Sequence, residues 1–166
     1  MTPDAFRDIA LVVGIFGVFS ALYGAFIALA QTDIKRLVAY TSVNHMGYVV
    51  LGVAVAAAAT DPEARALAID GAVLQMVSHG IVTGALFFLV GMIQDRAHTR
   101  EMSAFGGLLG RVPVLGWFFI ISAFASLGLP GLAHFPAEFQ IFLGTLKVWP
   151  LATIVVLGIV ITAGLY

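Results

Sequence analysis

Long apolar runs separated by short polar connections organise this chain. Five runs carry at most one charge each: residues 9–30, 37–59, 71–93, 113–146 and 150–166. A helix that crosses the hydrocarbon core of a bilayer needs roughly 20 apolar residues, so each of the first three runs predicts one transmembrane helix. The connections that follow them, QTDIKR, TDPEARALAID and QDRAHTREM, are short, which makes sequential helices antiparallel neighbours. The fourth run is too long for a straight crossing. At about 1.5 Å per residue it would reach roughly 50 Å, against a core of about 30 Å. In its middle stands Gly128-Leu129-Pro130-Gly131-Leu132-Ala133-His134-Phe135-Pro136. Proline removes a backbone donor and glycine loosens the turn, so this run predicts a helix broken near 128–136. Pro136 suits the first position of the resumed helix, which makes Phe135 its cap and Glu138 its third residue. The fifth run stops at Tyr166 with no flanking charge, and the chain reads as a piece of a longer protein. The predicted fold is an all-α membrane protein of five transmembrane helices, the fourth discontinuous, forming one domain over 1–166.

Composition narrows the class. Hydrophobic residues make up 61% of the chain and charged residues 10%, with a mean hydropathy of +1.05; a soluble domain carries about 25% charge. A net charge of −1 without a lysine and arginine cluster gives no footing for nucleic acid. The absence of cysteine excludes thiolate-held iron–sulfur clusters, disulfides and cysteine nucleophiles, so redox chemistry would sit on a partner. The start, MTPDAFRD, has neither the basic region nor the short apolar core of a removable signal peptide. Lys35, Arg36, Arg96, Arg100 and Arg111 fall on one side of the predicted spans, and Arg7, Arg65 and Lys147 on the other. That bias makes the QTDIKR and HTRE loops cytoplasmic and places the N-terminus outside.

Against this apolar background the ionisable residues stand out. Of eight Lys and Arg and nine Asp and Glu, Glu138 alone lies within a predicted span. A carboxylate at that depth costs several kcal/mol unless paired, wetted or protonated, so membrane proteins that keep one usually move an ion with it. His45, His79 and His134 also fall in spans or at the break, and imidazole passes a proton from one ring nitrogen to the other near neutral pH. Helical spacing puts Thr41, His45 and Tyr48 near one face, and Gln75, His79 and Thr83 near another. Such groups also serve as packing glue between membrane helices, and Gly80 with Gly84 reads as a small-xxx-small packing pair. For Glu138 the plain alternative is a salt bridge or a favourable place at a helix N-terminus. His134, four residues earlier, is its predicted partner.

The runs ALAQTDIKRLVAYTSVNHMGYVVLG, GAVLQMVSHGIVTGALFFLVGMIQDRAHTRE and GLPGLAHFPAEF closely resemble the M-type antiporter-like subunits of proton-pumping NADH:quinone oxidoreductase, respiratory complex I. The resemblance covers nearly the whole chain. It implies a subunit of fourteen helices with two inverted five-helix repeats, each with one broken helix, of which this chain matches the second repeat. By the same resemblance His45 and His79 match central-axis histidines and Glu138 matches the broken-helix glutamate that passes protons onward. The implied function is proton translocation by a relay of His45, His79, His134 and Glu138 within a proton-translocating NADH:quinone oxidoreductase of a bacterial inner membrane. This chain would carry no cofactor or metal; FMN, iron–sulfur clusters and quinone would belong to other subunits. Its partners would be the other membrane-arm subunits, lipid and protons. A cation/proton antiporter or membrane-bound hydrogenase subunit of the same fold is the second reading, and a purely structural membrane segment the third. The family pattern at the break is rich in glycine and small residues; Ala133, His134, Pro136 and Ala137 depart from it, adding a titratable ring and a stiffer backbone.

Overall fold

In a computed structural model, which describes residues 3–153 and 156, the described residues up to Val148 form a bundle of six α-helices. They are α1 (Pro3–Leu29), α2 (Ile34–Ala58), α3 (Pro62–Ala97), the short α4 (Leu108–Arg111), α5 (Pro113–Ser126) and α6 (His134–Val148), with a 3-10 turn at Met102–Ala104. Among the described residues α1, α2 and α3 are long and apolar enough to cross a membrane, whereas α5 is a shorter apolar helix. Residues 150–153 are again helical. Most of the expected fifth span, 150–166, lies outside the described residues.

Two helix starts follow from side-chain capping. Asp33 accepts from the backbone N–H groups of Lys35 and Arg36 and so opens α2. Asp61 does the same for α3 through Glu63 and Ala64, with Pro62 in the first turn where its missing donor costs nothing. The segment TDPEARALAID is therefore largely helix, not connection. α3 begins nine residues before the apolar run that predicted it, because Ala64 and Ala68 are fully buried on a turn that packs against α6.

Close backbone approach holds the bundle. α1 lies along α2, where a Cβ on Gly47 would come within 2.5 Å of the Ala21 backbone nitrogen, and Asn44 donates to the Ala21 carbonyl at 2.7 Å. In a bilayer, lipid tails compete equally for apolar side chains, so small residues and polar cross-links decide which helices meet. Among the described residues nothing lies within 4 Å of a Cβ at Gly80 or Gly84, where close packing is expected, and a tight α3 contact falls at Gly71, against Ala137 and Ile141 of α6. One apolar cluster joins Ala21, Leu51, Val55, Ala68, Ile141 and Phe142. A second joins Val38, Val82, Leu86, Val90 and Ala125, and α2 and α3, which carry part of the polar site, contribute to both.

At one end the loops are laced together. Ile34 N–H donates to the Arg100 carbonyl at 3.0 Å and Met102 N–H to the Thr32 carbonyl at 2.9 Å, while Arg100 meets Asp33 at 3.1 Å. Desolvation by the adjoining chain raises the Asp33 pKa, but the Arg36 and Lys35 backbone donors and the Arg100 and Arg36 charges outweigh it, holding the carboxyl below its ordinary value of 3.8.

Between α5 and α6 the helix is interrupted over 127–133, with Gly128 at φ 67° and Gly131 at φ 93°. α6 resumes at His134 with Ala133 as its cap residue. That is two residues earlier than the expected start at Pro136. The first turn of a helix has no intrahelical partner for its N–H groups, so proline is tolerated anywhere in it. Glu138 consequently sits just past the first turn.

Candidate functional site

The interruption opens onto a cluster of three imidazoles and one carboxylate. α2 supplies Ser42 and His45 one turn apart, α3 supplies Gln75, His79 and Thr83 at four-residue intervals, and α6 supplies His134 and Glu138 at the same interval. Each set lies on one helical face, and those faces meet. None of His45, His79, His134 and Glu138 is more than 8% exposed. All four residues singled out from the sequence thus come together in one place.

Their pairing differs from the expected one. His45 Nδ1 lies 3.2 Å from Glu138 Oε1, so the carboxylate's partner is the histidine of α2, not His134. The His134 ring turns back across the interruption, and its Nδ1–H donates to the Ala125 carbonyl at 2.6 Å. A carbonyl only accepts, so this bond fixes the proton on Nδ1. His134 Nε2 is buried without a partner among the described residues. The ring lies flat on that of His45, with centroids 4.7 Å apart and planes 3° apart. Because the two rings stack, their lone pairs do not converge, and among the described residues no group of His, Asp and Glu side chains is arranged to hold a metal ion.

His45 Nδ1 has a second neighbour, Gln75 Nε2 at 3.4 Å. The two neighbours suit opposite proton states. A protonated Nδ1 donates to Glu138; a bare Nδ1 accepts from the Gln75 amide. On its other side, His45 Nε2 meets Ser126 Oγ at 3.3 Å, at the last residue of α5. His79 is held between two hydroxyls, Ser42 Oγ at 2.8 Å from Nε2 and Thr83 Oγ1 at 3.1 Å from Nδ1. Its ring centroid is 5.5 Å from that of His45 and 6.0 Å from that of His134.

Gly128 shapes the carboxylate's seat. A Cβ there would fall 2.5 Å from Glu138 Oε2, so the bare left-handed backbone of the interruption lies directly over the carboxylate. Two hydroxyls of this site, Ser42 and Ser126, are not among the residues that the sequence pattern marks. Ser42 sits one turn before His45, and that spacing was the available signal; Ser126 carries no such mark. Thr41, which the spacing did favour, bonds its own helix at the Val38 carbonyl, 2.9 Å away. Tyr48 stands edge-on to Phe142 with centroids 5.6 Å apart, in the apolar core.

Comparison with known proteins identifies the family. Residues 2–164 match the family model described as NADH:quinone oxidoreductase/Mrp antiporter, TM. The chain is 43% identical over 161 residues to NADH-quinone oxidoreductase subunit M of Pseudomonas aeruginosa, covering 97% of this chain and 30% of that protein. To the subunit M of Escherichia coli it is 42% identical over 153 residues, 90% of this chain and 27% of that one. A chain of a solved respiratory complex I from Thermus thermophilus with bound NADH superposes with a TM-score of 0.87 at 33% identity, over 99% of this chain and 33% of that chain. The chain therefore spans roughly a third of the proteins it matches.

Proposed function

This chain belongs to the NADH:quinone oxidoreductase/Mrp antiporter membrane family, and on that footing we propose that it carries protons within the membrane arm of an NADH:quinone oxidoreductase. The observation that carries the proposal is the buried contact of His45 Nδ1 with Glu138 Oε1 at 3.2 Å, one bond length of proton motion between a base and an acid inside an apolar bundle. A proton on Nδ1 passes to the carboxylate, and the Gln75 amide then donates to the vacated nitrogen, so neither state leaves Nδ1 bare. His79 feeds His45 across a ring separation of 5.5 Å, which one water or a ring rotation bridges. His134 is the fourth relay group of this reading, its Nε2 being the ring nitrogen left without a partner among the described residues.

In this reading α5 and α6 are the two halves of one discontinuous span, and 150–166 begins a fifth crossing that completes a single domain over 1–166. Unwound backbone at membrane depth is tolerated where protein or a wet cavity covers it, and transporter ion sites are commonly built at such breaks. The chain would sit in a bacterial inner membrane beside other membrane-arm subunits, its own chemistry confined to proton transfer. The antiporter branch of the family admits sodium, but a single carboxylate among imidazole nitrogens suits a proton better than an ion that seeks several oxygens.

Glu138→Gln in the full-length subunit tests this. The substitution keeps the side chain's shape and removes its exchangeable charge. Pumping, followed as acidification of inverted vesicles on NADH addition, should fall to background while the complex assembles. Normal pumping in the variant would sink the relay, and a strict sodium requirement would move the protein to the antiporter reading. A purely structural role predicts instead that His79→Ala and Glu138→Ala reduce assembly alone.

A further inference from the structure

Away from the buried cluster, at the end of the bundle where α3 closes and α4 turns into α5, lies a pocket of about 350 Å³. Its polar lining includes Arg96, in the last turn of α3, and Arg111, the last residue of α4. Its apolar walls include Met92, Ile93, Phe105 and Leu115. Among the described residues no carboxylate lies within ion-pair distance of either guanidinium: Asp33 is taken by Arg100 at 3.1 Å, and the remaining pairs involve His45 and Lys147. Two unpaired arginines thus share a partly apolar hollow at the mouth of the membrane-spanning bundle.

We propose that this pocket binds an anionic glycerophospholipid, with its phosphodiester between Arg96 and Arg111 and its acyl chains against the seam of α3 and α5. Three features favour a lipid over any other occupant. Guanidinium groups hold a phosphodiester through paired N–H donors, and basic pockets between transmembrane helices on the cytoplasmic side take such headgroups. The positive bias of this end of the chain marks it as the cytoplasmic one. One turn from the lining residues Met92 and Leu115, Phe88 on α3 is 80% and Phe118 on α5 60% exposed, an apolar surface suited to acyl chains. The site stands apart from Glu138 and the histidines and does not depend on the proton-transfer reading.

The test uses the full-length subunit in its complex, exchanged into nanodiscs of phosphatidylcholine doped with phosphatidylglycerol. Native mass spectrometry counts the lipids that remain bound as detergent is reintroduced. The wild type should retain phosphatidylglycerol in preference to phosphatidylcholine. Arg96→Gln with Arg111→Gln should weaken that retention roughly 30-fold, from about fivefold per lost arginine. The corresponding lysine pair should keep much of it, and Arg7→Gln at the opposite end should leave it unchanged. The intact mass of the complex reports folding in each case, and the single Gln variants stand in should the double variant fail to assemble. Equal retention in the wild type and the double Gln variant, or no preference for the anionic lipid, would overturn the proposal. So would displacement of the lipid by inorganic phosphate, which has the charge and lacks the chains. A density map of the same sample with polypeptide filling the pocket would overturn it too.

Discussion

Gly128→Ala separates the position of the carboxylate from its mere presence. Alanine at this residue places a methyl carbon 2.5 Å from Glu138 Oε2, well inside the ordinary contact range that begins at 3.4 Å. The carboxylate, the more mobile partner, must retreat by close to 1 Å, which stretches the 3.2 Å approach of Oε1 to His45 Nδ1 beyond hydrogen-bonding range. Losing a buried charge-assisted hydrogen bond costs about 1.5–3 kcal/mol. Holding alanine at φ 67° adds about 1–2 kcal/mol. A misplacement of about 1 Å at a reacting pair lowers rates by as much as ~100-fold, so pumping should drop by one to two orders of magnitude while Glu138 itself is intact. Gly131→Ala is the matched control. It pays the backbone strain at φ 93° but meets nothing within 4 Å, so it should pump far better. The assay compares acidification of inverted vesicles per NADH oxidised, with assembly judged on native gels. If Gly128→Ala pumps like the wild type, or loses no more than Gly131→Ala, the carboxylate does not depend on its seat and the proton path does not run through the His45 contact.

Three further expectations accompany the Glu138→Gln experiment and the lipid-binding test. Gly47→Ala should destabilise the subunit by roughly 1–3 kcal/mol, seen as a lower thermal midpoint of the purified complex, because its Cβ meets the α1 backbone at Ala21; an unchanged midpoint would refute the close packing of α1 on α2. Gly80→Ala should be neutral or stabilise α3 by up to ~1 kcal/mol, since its Cβ meets nothing, and a clear loss of stability would show that this face is tightly partnered in the whole protein. Asp33 has a depressed pKa when folded, so its contribution is complete above its ordinary value of 3.8 and disappears as pH falls through the depressed value. Asp33→Asn should therefore flatten the acid limb of a stability-against-pH curve below about pH 4, and an identical limb in both proteins would refute that linkage.

The intramembrane residues were legible because the bilayer makes them expensive. Glu138, His45, His79 and His134 each interrupt an apolar run, and all four meet in the folded chain. Their connections were not legible. His45 and Glu138 come from helices far apart in sequence, and four-residue spacing favoured His134 as the partner. That spacing puts two groups on one face but does not say which way a ring turns, and the Ala125 carbonyl exposed at the end of α5 draws His134 Nδ1 away. The start of α3 was missed because polarity was read as loop, although Asp61 and Pro62 form a helix opening. Gly80 and Gly84 carry a packing motif on a face that no described residue approaches. A local motif records what a surface permits, and what meets it depends on the rest of the bundle.

The lacing of the Asp33 and Arg100 loops has a mechanical consequence. Two backbone bonds and the Arg100–Asp33 pair tie the root of α2 to the segment leading into α4 and α5. That end of the bundle is a fixed anchorage. α5 and α6 meet at the interruption over 127–133, and α6 is in turn held on α3 where Gly71 meets Ala137 and Ile141. His134 and Glu138 stand just past that interruption on α6, and His45 stands on α2 within the anchored frame. A shift of α6 against α2 by under 1 Å is enough to break the 3.2 Å contact, so the loop lacing and the α3–α6 seam together set how firmly the carboxylate is held to its histidine.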